Sequence, residues 1–127
     1  MSDTILVVDD EPDLRLLVRM TLEGSGYAVE EAGTVAEALE RAVEVKPRLI
    51  LLDIRLPDGE GFDVLRSLRA TEDFAQTPIV MMSAHSSPPT LRRAEVIGSH
   101  DYLIKPFKHD DLLRLVRKHL PEAETPV

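Results

Sequence analysis

Three aspartates and one lysine stand at the ends of short apolar runs. Asp9 and Asp10 close Ile5-Leu6-Val7-Val8, and Glu11 follows them. Asp53 closes Leu49-Ile50-Leu51-Leu52, and Lys105 follows Tyr102-Leu103-Ile104 ahead of Pro106. If these runs are neighbouring strands of one parallel sheet, their carboxyl ends share an edge and the four side chains converge. Carboxylates packed together repel unless protonated or bridged by a cation. An all-oxygen cluster at a wet rim suits Mg²⁺, which keeps several waters and needs only one or two carboxylate bonds. The chemistry implied is metal-assisted phosphoryl transfer. Taken singly, Asp9-Asp10 also fit an ordinary helix N-cap pair and Asp53 a turn cap. Only their joint placement with Lys105 favours a site.

Five strand-like runs must position these groups, at about 5–8, 28–32, 49–53, 78–83 and 101–104. Continuously apolar runs such as 49–52 suit parallel strands covered on both faces. Five helical patterns alternate with them. The first starts near Pro12, a residue favoured at the first helical position, and turns Leu14, Leu17, Val18 and Leu22 inward. The second opens at Thr34 with a capping box to Glu37. The third spans about 61–70, the fourth about 89–97 and the fifth about 109–119. Alternating strands and helices predict an α/β fold, a doubly wound (βα)₅ parallel sheet with right-handed crossovers and helices on both faces. Ligands of such sheets sit beyond the carboxyl ends of the strands, where the acidic residues lie.

The chain has 127 residues, enough for one domain. A single domain over 1–120 and a flexible polar tail over 121–127 are expected. The formal charge is −8, from 15 basic and 23 acidic residues. A polyanion is repelled by such a field, which argues against direct nucleic-acid binding unless Arg92, Arg93, Arg114, Arg117 and Lys118 form a local patch. No run is long enough to span a membrane, and no signal peptide is evident at the start. Cysteine is absent, which removes disulfides and thiolate metal sites and is compatible with a cytoplasmic location. His85, His100, His109 and His119 lack metal-ligand spacing.

Taken together, Ile5–Glu11, the stretch Leu51-Leu52-Asp53-Ile54-Arg55-Leu56-Pro57-Asp58-Gly59, Met82-Ser83-Ala84 and Asp101–Phe107 resemble the receiver domains of two-component response regulators. The resemblance covers about 4–120. The separations fit as well, with 30 residues from Asp53 to Ser83 and 52 from Asp53 to Lys105. It implies the strand order 2-1-3-4-5, for which chemotaxis-type receivers are a standard example. It also implies that Asp53 is the phosphoacceptor, with Mg²⁺ (or Mn²⁺ in its place) held by Asp10, Asp53, Asp9 and the Arg55 backbone carbonyl. Ser83, the Ala84 N–H and Lys105 are then the phosphoryl-binding groups, and Tyr102 is an aromatic switch. Arg55 and His85 flank the path of the hydrolytic water and tune loss of the phosphoryl group. The bond Lys105-Pro106 is expected to be cis.

The implied partners are a sensor histidine kinase or phosphotransfer protein and a downstream protein or output domain. The kinase is expected on helix 1, at Arg15, Leu16 and Arg19, and on Pro106 and Phe107. The output face is expected on helix 4, strand 5 and helix 5. Pro88-Pro89 predict that helix 4 starts late, because consecutive prolines lack donors and bias preceding residues away from the α region. Such a protein is an enzyme only in assisting its own phosphorylation and dephosphorylation. A phosphorylation-independent adaptor and an aspartate-nucleophile phosphatase are the competing readings. The phosphatase needs a second Asp two residues after the nucleophile, and Arg55 stands there. A dinucleotide-binding domain fails because Gly24 and Gly26 precede strand 2 and not helix 1.

Overall fold

A computed structural model describes residues 4–84 and 87–120. Strands β1 (Thr4–Val8), β2 (Ala28–Ala32), β3 (Leu49–Asp53), β4 (Ile79–Ser83) and β5 (Asp101–Ile104) form one parallel sheet in the order β2-β1-β3-β4-β5. Between them run α1 (Pro12–Glu23), α2 (Val35–Val45), α3 (Gly61–Arg69) and α4 (Pro88–Ile97), and α5 (His109–His119) follows β5. The expected fold class and strand order are both present.

Strand alternation sorts the core into two layers. Ile5, Val7, Leu49, Leu51, Val80, Met82 and Leu103 pack with Val18 and Leu22 of α1 and with Leu112 and Val116 of α5. Leu6, Val8, Ile50, Leu52, Ile79 and Met81 pack with Ala38 and Ala42 of α2, with Val64, Leu65 and Leu68 of α3 and with Ala94 of α4. The central strands are fully buried because each residue meets one layer or the other. The same alternation reaches the site. Asp53 continues the side of Leu49 and Leu51, whereas Ser83 continues the side of Ile79 and Met81.

Four local details refine the sequence reading. Leu17 is 43% exposed, because Val18 and Leu22, with Leu14 half-buried beside them, fill the α1 seat on the sheet. Helix α4 begins at Pro88, late as the two prolines predict and within one residue of the expected start, with Ser87 extended at its N-cap and its side chain accepting from the Thr90 N–H. That is the geometry a residue before proline favours, with proline tolerated in the first helical turn. Glu37 bonds the Gly33 N–H, one residue before the helix cap, while Thr34 accepts from the Glu37 N–H. A two-residue antiparallel ribbon, Arg55–Leu56 with Gly59–Glu60, follows Asp53 and was not evident from the sequence.

These layers yield a stability contrast. Leu51→Ala, in the middle of the sheet, is expected to cost about 2–5 kcal/mol. Leu17→Ala is expected to cost under about 1 kcal/mol. Urea unfolding of the two variants measures both, and equal losses would contradict the burial assigned to Leu17.

Candidate functional site

The carboxyl ends of β1, β3 and β5 bring together the residues singled out by sequence. The Lys105 ammonium lies 2.7 Å from Asp9 Oδ2, 3.4 Å from Asp53 Oδ2 and 3.8 Å from Glu11 Oε1. Oxygens of Asp9, Asp10 and Asp53 lie within 4.8 Å of one another, the metal-capable cluster found among the described residues. Asp9 is fully buried, Asp53 nearly so, and Asp10 exposed. The cluster thus has two sheltered acids and one facing water.

The backbone around each acid is tied down. The Asp9 N–H donates to the Ala32 carbonyl at 3.0 Å, and Asp9 Oδ1 accepts from the Glu11 N–H at 2.9 Å. The Arg55 N–H bonds the Asp53 carboxylate. Gly61 sits against the Asp53 peptide, its N–H donating to the Ile54 carbonyl at 2.6 Å. A Cβ at Gly61 would lie 2.0 Å from the Asp53 carbonyl oxygen, so only glycine fits there. Lys105 is set by its own N–H, which donates to the Ser83 carbonyl at 2.8 Å, and the Lys105-Pro106 bond is cis as expected.

The charges are frustrated. Burial pushes the Asp53 carboxyl up to about 6, the Asp9 charge adds to this, and Lys105 and the Arg55 N–H only partly offset it. Burial opposes the charge on Lys105, but Asp9 and Asp53 outweigh it and hold the ammonium above its ordinary range. Two buried carboxylates facing one ammonium leave net negative charge in a sheltered place. Oxygen donors that close, with an exposed third carboxylate, fit a hard divalent cation that keeps water ligands.

Ser83 is 3% exposed at the end of β4, and its side chain is hydrogen-bonded to the Tyr102 hydroxyl. The Tyr102 ring packs against the α2, α3 and α4 layer. Burial first, and the Asp53 charge second, push the Tyr102 hydroxyl up. Asp53, Ser83 and Tyr102 are therefore in electrostatic reach of one another. Ala84 is exposed beside them, and the Arg55 side chain points into solvent. His85 lies outside the described residues, as does the segment 121–127.

Other residues fall differently from expectation. Arg15 and Arg19 both bind Glu31 of β2, at 2.8 and 2.7 Å, so they do not present free charge on the outer side of α1. The exposed apolar groups there are Leu16, Leu17 and Met20. A groove of about 320 Å³ beside Lys105 is lined by Leu14, Leu17, Ala84, Pro106 and Phe107. Several cations of the suspected basic patch are paired. Arg93 reaches Glu60 at 3.1 Å and stacks over Phe62, and Lys118 reaches Asp101 at 2.9 Å. His100 meets Arg69, and His119 meets Asp101. Sequence reasoning missed Asp58, which accepts from the Val35 and Ala36 N–H groups and so ties the loop after Asp53 to the start of α2. Pro57-Asp58-Gly59 reads as a turn, but its target 23 residues back does not.

The raised Asp53 pKa has a signed consequence for stability. Between the usual 3.8 and about 6, the folded chain holds a proton that the unfolded chain has released. Stability therefore falls as pH rises through that window, and the ionised carboxylate remains unfavourable above it. Without divalent cations, Asp53→Asn is expected to unfold at higher urea than the parent at about pH 7, with the gap closing at about pH 4. A parent as stable as the variant at neutral pH would contradict the assigned cost.

Comparison with known proteins agrees with this geometry. The family described as "Response regulator receiver domain" matches residues 5–117. The DNA-binding response regulator MtrA of Mycolicibacterium smegmatis is 38% identical over 124 residues, covering 98% of this chain and 53% of MtrA. The KDP operon transcriptional regulatory protein KdpE of Escherichia coli is 39% identical over 113 residues, covering 89% of this chain and 49% of KdpE. The chain spans about half the length of these relatives. Among solved structures, the chemotaxis protein CheY4 of Vibrio cholerae superposes with a TM-score of 0.89 at 30% identity, covering 93% of this chain and 98% of that one. A sheet in this order, an acidic cluster at its carboxyl edge and a family match over nearly the whole sequence make the chain a member of the receiver domains of two-component response regulators.

Proposed function

We propose that this domain is a phosphorylation-controlled switch in which Asp53 accepts a phosphoryl group from a sensor histidine kinase or a phosphotransfer protein. The observation that carries the reading is the cluster itself: a buried carboxylate at β3, flanked by Asp9 and Asp10 and held by Lys105. Phosphoryl transfer needs positioning and charge neutralisation more than covalent participation. An Asp53 oxygen forms the new P–O bond, the P–N bond of the donor phosphohistidine breaks, and the imidazole leaves with the electron pair. Asp10, Asp53, Asp9 and the Arg55 carbonyl are the groups that would hold Mg²⁺, with Mn²⁺ as a substitute. The cation would favour ionised Asp53 and offset charge on the phosphoryl oxygens. Lys105, the Ser83 hydroxyl and the Ala84 N–H complete the binding of those oxygens.

The signal then passes from Ser83 to Tyr102. Ser83 has one O–H proton and two acceptor lone pairs. A phosphoryl group brings roughly −1.5 to −2 charges, on the figure for phosphorylated hydroxyls, and draws that proton. The Ser83 oxygen can still accept from the Tyr102 O–H, so the contact between the pair can persist. Moving a two-state equilibrium from 1:99 to 99:1 takes about 5.5 kcal/mol. Hydrogen bonds to a charged group, at about 1.5–3 kcal/mol each, supply that scale. Tyr102 lies on β5, between α4 and α5, which is the proposed output face. Arg55 and His85 are proposed to tune phosphoryl lifetime.

The domain is taken as 1–120, with 121–127 as a tail, acting in the cytoplasm where its phosphoryl donors are expected. The apolar groove of Leu14, Leu17, Pro106 and Phe107 next to Lys105 is the proposed kinase-docking surface, in place of Arg15 and Arg19. The recipient of the signal is a protein partner or an output domain, including a DNA-binding one, since MtrA is named a DNA-binding regulator and is matched over only 53% of its length. Direct contact with nucleic acid by this acidic domain is disfavoured by its −8 charge.

Incubation with acetyl phosphate and Mg²⁺, read by intact mass, tests the assignment. One phosphoryl adduct is expected on the parent, and none on Asp53→Asn or on the parent with EDTA. An adduct that persists in the variant would move the acceptor elsewhere.

A further inference from the structure

We propose that Arg15 is a positioning residue for the acidic pair, fixing the peptide between Asp9 and Asp10 so that the exposed Asp10 carboxylate faces the cation. This rests on the Mg²⁺ reading above. The Asp9 side chain is already committed, one oxygen to the Glu11 N–H and the other to Lys105. Asp10, by contrast, is exposed and has no ion pair among the described residues. Its direction is set by the backbone that carries it.

That backbone is gripped at two points. The Asp9 N–H donates to the Ala32 carbonyl, and the Asp9 carbonyl, which belongs to the peptide joining the two acids, accepts from Arg15 Nη1 at 2.6 Å. The guanidinium is itself seated. Its Nε donates to Glu31 Oε1 at 2.8 Å, and Arg19 Nη1 donates to the other oxygen of Glu31 at 2.7 Å. Gly33 leaves room for the seat, since a Cβ there would stand 3.1 Å from Arg15 Nη1. The arginine fork reaches the carboxylate and the carbonyl with two separate nitrogens held in a fixed plane, whereas a lysine must serve both from one. Groups that orient ligands without touching the metal commonly change affinity by 10–100-fold when removed.

Charge and position predict opposite results. Removing a cation near a Mg²⁺ site strengthens binding by Coulomb's law alone, whereas releasing the Asp9-Asp10 peptide weakens it. Calorimetric titration with Mg²⁺ alone, on the parent, Arg15→Met, Arg15→Lys and Glu31→Gln, separates the two. Arg15→Met is expected to bind about tenfold more weakly than the parent. Arg15→Lys should recover part of the loss. Glu31→Gln keeps the donor to the carbonyl and should stay near the parent, with metal-free urea midpoints recorded for all four. Binding by Arg15→Met at or above the parent affinity would overturn the proposal. So would an equal loss in Glu31→Gln, which would make the ion pair the active element. If Arg15→Met does not fold, Arg15→Lys matching the parent while Glu31→Gln is weakened would overturn it, and the reverse order would support it. A parent that binds no Mg²⁺ would instead refute the cation reading, and this proposal with it.

Discussion

One ammonium holds the acidic edge together. Lys105 reaches Asp9 at 2.7 Å and Asp53 at 3.4 Å from a strand that lies across two neighbours in the sheet. Without it, two sheltered carboxylates would face each other in a region where charge is poorly solvated, and one would have to protonate. With it, the cluster is bearable but still carries net negative charge, and burial first and the Asp9 charge second push the Asp53 carboxyl up to about 6. A site in that condition gains by taking up a divalent cation. The sheet exists around this arrangement in a literal sense, since parallel pairing is what sets the ends of β1, β3 and β5 at one edge.

The same geometry joins the acidic edge to both layers of the core. Strand alternation gives Asp53 to the α1 and α5 side and Ser83 to the side of α2, α3 and α4. On the proposed function, a change at Asp53 would pass through Ser83 to Tyr102, whose ring packs in the opposite layer. Packed cores move between discrete arrangements and do not deform continuously, so under the proposed function a local hydrogen-bond exchange would be the trigger for repacking around α4 and β5. Arg69 adds a brace there, linking the end of α3 to the Gly98 carbonyl and to His100 ahead of β5.

Much of this was legible in the residues. Apolar runs ending in Asp9, Asp53 and Lys105 announced buried parallel strands with their chemistry at one end, because strands covered on both faces must be apolar throughout. Helix starts at Pro12 and Thr34 followed from local rules that act over three or four residues. What escaped were contacts that no local rule encodes. Leu17 fits the apolar stripe of α1, yet Val18, Leu22 and the half-buried Leu14 already fill the layer beneath the helix. Arg15 and Arg19 are expected as kinase contacts from the sequence, and their pairing with Glu31 on the edge strand β2 is a contact that no local rule encodes. Asp58 stands in a turn-like stretch and Gly61 at the start of helix 3, and their roles at α2 and at the Asp53 peptide depend on how the chain returns.

The central claim is that Asp53 sits in an environment where its charge is disfavoured until a cation arrives. A ¹³C NMR titration of the Asp53 carboxyl carbon, in the metal-free protein and again with Mg²⁺, measures this directly. The metal-free midpoint is expected at about 6 and should fall well below that when Mg²⁺ is present. A metal-free midpoint in the ordinary aspartate range, unchanged by Mg²⁺, would contradict the account.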